Sequence, residues 1–419
     1  PAAFAHKLPD LESKLNTALA SGDIFAQQSA QELLPLLQQA KLLAKQYDAV
    51  IANPPYMGGG KMNAILKDFA KKKFPDSKSD LFAMFIERSF AWCKDSGFNS
   101  MVTMQSWMFL SSYEVMREKL LQDRTLSCMV HMGNGVMGIA FGTAATVMLN
   151  NHVNNYEGSF SYCENDDVNE FGIPKQFPVQ NERLKTAKPD DFKKIPGSPI
   201  AYWVSEKVRE IFENSKRLSD FSEIGKGLDT GDNNRFLRLW FEITLTKDKW
   251  IPCQKGGPFR KWYGNNEFVI NWENEGYELK KSSNSNLRNS HNYFKSGLTW
   301  TRVSSSTTAF RFFQEGQIFE STGPCLFPKE ISLFGILCFL NSKVTLKILK
   351  FLAPTLDFQS GHISTIPILN IDWNDDRLQN ISHNCIEIAK SDWDAYEISW
   401  DFTQNPVIRT QQPNLKQAF

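Results

Sequence analysis

Asn53-Pro54-Pro55-Tyr56 is the stretch of this 419-residue chain whose residue types best fit a reaction. An exocyclic amine on a nucleobase is a poor nucleophile, because its lone pair is delocalised into the ring. Two acceptors on its hydrogens draw the nitrogen toward a tetrahedral state and localise that pair. The Asn53 side-chain oxygen offers one acceptor and the Pro54 backbone carbonyl the other. Successive prolines fix φ and remove donors, which holds the carbonyl rigidly. A residue before proline avoids helical geometry, so Asn53 stays extended. Tyr56 offers a flat face to a base swung out of a duplex. No strong base is needed, since the amine once methylated is acidic enough to lose its proton to water. The plainer alternative is an Asn-Pro turn after a strand, a common loop signal.

The flanking elements must place that motif at a strand end. Tyr47-Asp-Ala-Val-Ile-Ala52 predicts a short apolar strand stopped by Asn53-Pro54-Pro55. Ligands of open α/β sheets bind at the carboxyl ends of strands, so position and motif agree. Residues 10–46 predict a helix from Leu15, Leu19, Leu33, Leu34, Leu36, Leu37, Leu42 and Leu43, kinked or restarted at Pro35. Residues 62–74 predict a basic helix. Ser79 or Asp80 can cap a further helix reaching about residue 95, with Leu81, Met84, Phe85 and Phe90 inward and Gly97 as its stop. A strand at 98–104, a helix at 111–121 and strands at 125–131 and 143–150 follow. This alternation predicts an α/β fold with an open, mostly parallel sheet over 1–152.

Residues 153–197, rich in Asn, Asp, Lys and Pro, predict a connecting segment with little regular structure. A second, mixed α/β body over 198–372 starts with a helix at 200–215 carrying Ala201, Val204, Val208, Ile211 and Phe212. Short strands follow, with a hairpin across Glu315-Gly316, then two apolar helices over 331–353. Residues 373–419 read as a helical C-terminal extension, clearly acidic from Asp372 to Asp401.

Composition narrows the class. At 42% hydrophobic and 22% charged the chain is ordinary globular protein, which excludes disordered and collagen-like structure. The longest apolar run, 331–340, is about half of what a bilayer span needs, so no membrane anchor is expected. Seven scattered cysteines, without CxxC or a Cys/His pair at ligand spacing, predict no metal site and a reduced, cytoplasmic compartment. Residue 1 is Pro, which suggests processing or a piece of something longer, and no signal-peptide pattern follows it. His131, His291 and His362 stand isolated and read as structural. Walker and spaced-acid nuclease signatures are absent, so neither ATP hydrolysis nor cleavage is expected.

Tyr47-Asp-Ala-Val-Ile-Ala-Asn-Pro-Pro-Tyr56 resembles motif IV of the amino-group (N6-adenine) DNA methyltransferases. Its continuation, Met57-Gly-Gly-Gly-Lys61-Met62, resembles the PglX-like adenine methyltransferases of BREX phage defence, relatives of type IIG and type I restriction-modification enzymes. Asp80-Leu-Phe-Ala-Met-Phe-Ile-Glu-Arg88 resembles the family's next helix, and Phe141-Gly-Thr-Ala-Ala-Thr-Val147 its later strand. Gly227-Leu-Asp-Thr-Gly-Asp-Asn-Asn-Arg-Phe236, Pro354-Thr-Leu-Asp-Phe-Gln-Ser-Gly-His-Ile363 and the tail from Ser391 to Phe402 resemble parts of its target-recognition region. The resemblance implies a partial Rossmann-like class I methyltransferase sheet, a target-recognition domain and a helical extension. It implies S-adenosyl-L-methionine as methyl donor and adenine N6 in double-stranded DNA as acceptor, in phage defence. Asn53, Pro54, Pro55 and Tyr56 are then catalytic, Tyr56 and Phe141 stack on the base, and Asn53, Asp80 and Phe85 face the cofactor.

One family feature is missing. Such enzymes carry a glycine-rich strand-to-helix turn before the Asn-Pro-Pro-Tyr. The 52 residues before Asn53 hold a single glycine, Gly22. Gly133-Asn-Gly-Val-Met-Gly138 matches G-x-G-x-x-G, but a strand-like run follows it where a dinucleotide site needs a helix. The cofactor half of the sheet is therefore expected to be absent, and the chain is expected not to methylate DNA alone.

Two basic stretches are candidate phosphate contacts. One holds Lys61, Lys67, Lys71, Lys72, Lys73 and Lys78, and a solvated helix face explains it equally well. The other holds Lys280, Lys281, Arg288, Lys295, Arg302 and Arg311, with Ser, Asn and Thr interleaved and no acid from Leu279 to Gln314. Expected partners are double-stranded DNA, other phage-defence proteins or the missing N-terminal part, and no membrane. The rival readings are a non-catalytic DNA-recognition or partner-binding module, and an amino-methyltransferase acting on RNA or protein glutamine.

Overall fold

A computed structural model describes residues 2–176, 182–244, 249–304, 307–354 and 357–409. Backbone proximity divides the chain into two compact units, Pro1–Arg209 and Glu210–Phe419.

The first unit opens with helices α1 (Leu8–Leu19) and α2 (Ile24–Ala44). The predicted single helix breaks at residues 20–23, not at Pro35, which lies inside α2. Asp23 sets the break by capping α2, its side chain accepting from the Phe25 and Ala26 amides. Strand β1 (Tyr47–Ala52) follows, then α3 (Ala64–Lys73), α4 (Leu81–Phe90) and the long strand β2 (Cys93–Met104). Helix α4 thus ends short of residue 95, and Gly97 lies inside β2 instead of stopping a helix. Pairing of Cys93 with Tyr47 captures the chain early. A Cβ at Gly97 would sit 3.0 Å from the Asp48 carbonyl oxygen, so glycine permits the close approach. Helix α5 (Glu114–Asp123) and strands β3 (Thr125–Met132), β4 (Thr143–Leu149), β5 (Gly158–Cys163) and β6 (Lys185–Ala187) complete the unit.

These strands form one sheet in the order β1-β2-β4-β3-β5-β6. Only β1–β2 and β3–β5 are parallel; the β2–β4, β3–β4 and β5–β6 pairs are antiparallel. The sheet is therefore mixed, not mostly parallel. Residues 133–142 are too short a link from β3 to β4 for a helical crossover, so the chain returns antiparallel. The segment 153–197, read as irregular, supplies β5 and β6, although residues 177–181 lie outside the described ones. Phe82, Ile86, Trp107, Met108, Met129, Phe160 and Phe192 form the core against the sheet. Each such side chain contributes about 1.5–3 kcal/mol by leaving water. Strand β1 is a sheet edge, and its Ile51 is 78% exposed.

Helix α6 (Glu206–Asn214) is shorter than the predicted 200–215, because Ile200 and Tyr202 are irregular residues buried in the first unit's core. The second unit then runs β7 (Lys216–Arg217), α7 (Leu218–Phe221), β8 (Ser222–Gly225), α8 (Asn233–Phe236), β9 (Leu237–Leu239), β10 (Trp250–Gln254) and β11 (Phe268–Asn271). After α9 (Glu273–Lys281) come β12 (Gly297–Trp300), β13 (Phe310–Phe313), β14 (Ile318–Phe319) and β15 (Cys325–Pro328). Helices α10 (Leu333–Leu340), α11 (Lys343–Leu352) and α12 (Ser360–Ser364), strand β16 (Pro367–Ile368) and helix α13 (Asp376–Trp393) follow.

Two four-stranded sheets, β14-β10-β11-β9 and β13-β12-β15-β8, carry this unit, beside the β16-β7 pair. The expected hairpin across Glu315-Gly316 is a turn between sheets: β13 pairs with β12, and β14 pairs with β10. Thr355 and Leu356 of the quoted 354–363 stretch, and residues 410–419 of the extension, lie outside the described residues. Part of the acidic tail is paired with cations. Asp392 pairs with Arg260 at 2.7 Å, Lys390 pairs with Asp394 and Asp401, and Trp400 stacks on Trp240 at 5.2 Å.

Candidate active site

Parallel pairing aligns Ala52 with Met101, so the Asn53 to Tyr56 stretch leaves β1 alongside the carboxyl end of β2. Pro54 is buried, Asn53 and Pro55 are exposed, and Tyr56 is half-buried. The Tyr56 hydroxyl points at the Val102 carbonyl oxygen at 3.1 Å and at Asn53 Oδ1 at 3.3 Å. Burial raises its pKa, so it stays a donor. Its single hydrogen is shared between the two oxygens, and the Asn53 oxygen keeps a second lone pair. The Pro54 carbonyl has no hydrogen-bond partner among the described residues. Two adjacent acceptors are thus available at the strand end.

The loop is zipped to the next helix. Asp80 accepts from the Met57 amide at 2.9 Å and caps α4 through the Phe82 amide at 3.3 Å. The Gly59 amide donates to the Ser79 carbonyl, and the Leu81 amide to that of Met57. Asp80 is 7% exposed, and both these bonds hold protein backbone. Phe85 is half-buried against the core cluster. Phe141 is 38% exposed and meets the Tyr56 ring edge-on, with centroids 5.8 Å apart. The structure therefore brings Asn53, Pro54, Tyr56 and Phe141 together. Gly133 to Gly138 forms a turn with a short 3-10 segment, Val136–Gly138, and then enters β4, so the dinucleotide-loop reading lacks its helix.

Sequence reasoning misses Gln105 and reads His131 as merely structural. Gln105 directly follows β2, as Asn53 follows β1; that parallel was the available signal. His131 is 6% exposed, with Nε2 2.6 Å from Gln105 Oε1 and Nδ1 3.3 Å from the Tyr202 hydroxyl. Burial lowers its pKa to about 4, so it is neutral at pH 7.

The basic candidates separate by burial. Lys61, Lys71, Lys72, Lys280 and Lys281 are exposed. Lys72 pairs with Asp68, Lys280 lies over the Trp272 ring and Lys281 over that of Tyr277. Arg288 pairs with Asp229 at 3.1 Å, and the Lys295 ammonium bonds Asn292 Oδ1 at 2.9 Å. Arg302 is held by Asp357 through two bonds of 2.8 and 3.0 Å. Arg311 corrects the surface expectation: it is 1% exposed between the core residues Phe310 and Phe313, and burial depresses its pKa to about 10. Its position in β13, paired on β12, puts it inside the unit, away from any phosphate. Among the described residues no helix is long and apolar enough to cross a membrane, and no three metal-ligating side chains gather.

Residues 6–137 match the Eco57I restriction-modification methylase family. The chain is 42% identical over 411 residues to the adenine-specific methyltransferase BrxX of Escherichia coli O9:H4 (strain HS), covering 94% of this chain and 33% of that protein. It is 35% identical over 408 residues to the adenine-specific methyltransferase PglX of Lacticaseibacillus casei (strain Zhang), covering 90% and 34%. In fold it is similar to the type IIL restriction-modification enzyme MmeI solved with DNA, at a TM-score of 0.53 and 13% identity over 88% of this chain and 52% of that one. The chain spans about a third of the length of the curated relatives it matches. Along nearly its whole length the chain is similar to the adenine-specific methyltransferases BrxX and PglX, and its first third matches the Eco57I restriction-modification methylase family.

Proposed function

We propose that this chain carries the base-acceptor side of a site-specific DNA methyltransferase, which moves a methyl group to adenine N6 in double-stranded DNA during phage defence. The observation that carries this reading is a pair of acceptors beside the Tyr56 and Phe141 rings: Asn53 Oδ1, with a lone pair to spare, and the Pro54 carbonyl, unpartnered among the described residues. The two oxygens accept the hydrogens of the adenine amine and localise its lone pair. The rings hold the extruded base in place.

S-adenosyl-L-methionine supplies an electrophilic methyl group in such reactions. The described residues fit it only in part. Asp80 Oδ1 holds the Met57 and Phe82 amides and leaves Oδ2 available, while the glycine-rich loop at 133–138 lacks a following helix. Asn53, Asp80 and Phe85 are the cofactor contacts this chain offers, and the rest of the cradle is supplied by residues outside this sequence. The edge of β1, with Ile51 78% exposed, suits the addition of a parallel strand that brings such a turn. The second unit then serves target recognition, with Lys280, Lys281, Arg288 and Lys295 among its exposed cations.

The test is methyl transfer to duplex DNA by the purified chain, alone and with a polypeptide carrying the glycine-rich half. Transfer only in the mixture, lost in Asn53→Ala, supports the reading. Asn53-dependent transfer by the chain alone sinks the claim of incompleteness, and preferential competition by RNA redirects the substrate.

A further inference from the structure

A relay of side chains ends at Gln105, just past the strand whose Val102 carbonyl meets Tyr56 and against Gly142, the neighbour of Phe141. Gln105 stands opposite Gly142 where β2 meets β4, its amide donating to the Gly142 carbonyl at 3.0 Å, and Gly142 directly follows Phe141. Its carboxamide lies flat over Gly142. A Cβ there would sit 2.4 Å from Gln105 Cδ and Oε1 and 2.5 Å from Nε2. No residue with a side chain fits at 142 without displacing Gln105.

The structure places the carboxamide oxygen toward His131, and hydrogen counting then fixes the imidazole tautomer. Neutral His131 carries one ring N–H. Gln105 Oε1 accepts only, and it lies 2.6 Å from His131 Nε2, so the hydrogen is on Nε2. Nδ1 is then a bare acceptor and takes the hydroxyl hydrogen of Tyr202, which is 4% exposed and stacked on Phe160 at 5.0 Å. The Tyr162 ring at 4.9 Å and the Trp203 ring at 6.2 Å hold the imidazole in place. In this arrangement the Gln105 oxygen faces His131. The Nε2 amide, with two N–H donors, has no hydrogen-bond partner among the described residues, and Gln105 is half-exposed.

We infer that Gln105 is a specificity-determining residue that presents its amide donors to a ring nitrogen of the extruded adenine, with His131 and Tyr202 as the positioning residues that aim it. This rests on the base-site reading above. Asn53 and Pro54 offer acceptors to the exocyclic amine, and a donor aimed at a ring nitrogen completes the complement of a purine with that pattern.

The test titrates 2′-deoxyadenosine and its 1-deaza, 3-deaza and 7-deaza analogues into the full chain, read by saturation-transfer NMR. Gln105→Glu keeps the acceptor for His131 but puts an oxygen where the donors were. It should weaken deoxyadenosine binding roughly tenfold, about 1.4 kcal/mol. One deaza analogue should bind wild type and Gln105→Glu alike, because it lacks the nitrogen that Gln105 meets. A uniform loss across all four ligands, or no loss, overturns the inference while Asn53-dependent binding keeps the base site. Deoxyadenosine binding that is absent, or unchanged in Asn53→Ala, overturns the base site itself and this inference with it.

Discussion

The Asp80 carboxylate accepts the amide hydrogen of Met57 at 2.9 Å, which ties the residue after Tyr56 to the N-terminus of α4. One side chain therefore caps a helix and fixes the exit of the Asn-Pro-Pro-Tyr stretch. Removing it costs both. Asp80→Ala should destabilise the first unit by about 1–2 kcal/mol, the usual range for a lost cap, and Asp80→Asn by less. Hydrogen exchange at the Met57 and Phe82 amides checks this. Unchanged protection in Asp80→Ala would show that the clamp is held by other contacts.

Tyr56 combines a hydroxyl bonded to Val102 with a ring set against Phe82 and Phe141. Tyr56→Phe should cost about 1 kcal/mol, since it leaves one carbonyl without its donor. Tyr56→Ala should cost about 3–5 kcal/mol by removing the ring as well. Exchange protection of the Phe82 amide distinguishes the two variants. Equal loss in both would assign the whole effect to the hydroxyl.

His131 makes the first unit acid-sensitive. Its folded-state pKa, about 4, lies below the ordinary 6.5. The unfolded chain therefore binds more protons between those values. Stability is fully present above about pH 6.5 and falls as pH drops toward 4, with a slope of at most ~1.4 kcal/mol per pH unit. His131→Gln should flatten that part of the profile in urea titrations, leaving the carboxylate contribution below it. An identical slope in the variant would place the sensitivity elsewhere.

Arg311 and Lys280 should behave oppositely. Arg311 is buried, with Nε and Nη2 unpartnered among the described residues and Nη1 3.4 Å from Thr301 Oγ1. Arg311→Met should leave stability unchanged or raised, because a buried charge is costly to hold, and should not alter duplex affinity. Replacing Lys280 and Lys281 by Ala should weaken duplex binding and flatten its log–log salt slope by ~0.9 for each phosphate the lysines neutralise. A salt slope that responds to Arg311→Met and not to the lysines would reverse these roles.

What local chemistry sets is legible in the sequence. The β1 strand, its Asn-Pro-Pro stop and the Asp80 cap each depend on a few neighbouring residues. The strand directions of the sheet are not legible in the same way, because direction depends on link length, and residues 133–142 leave no room for a crossover. Strands β5 and β6 are hidden by polar composition, since pairing of β5 on β3 and of β6 on β5 decides them. Arg311 looks like a surface cation when charge is counted along the chain, whereas β13 buries it beside Phe310 and Phe313. The bond between His131 and Gln105 joins β3 to the residue after β2 and is visible only once the sheet is assembled.

The central claim is that this chain holds the base-acceptor side of the site and lacks the cofactor cradle. Calorimetric titration of S-adenosyl-L-methionine into the purified chain tests it most directly. The account predicts no one-to-one binding heat, with duplex DNA binding intact. Saturable one-to-one binding by the chain alone would contradict it and place a complete cofactor site within these 419 residues.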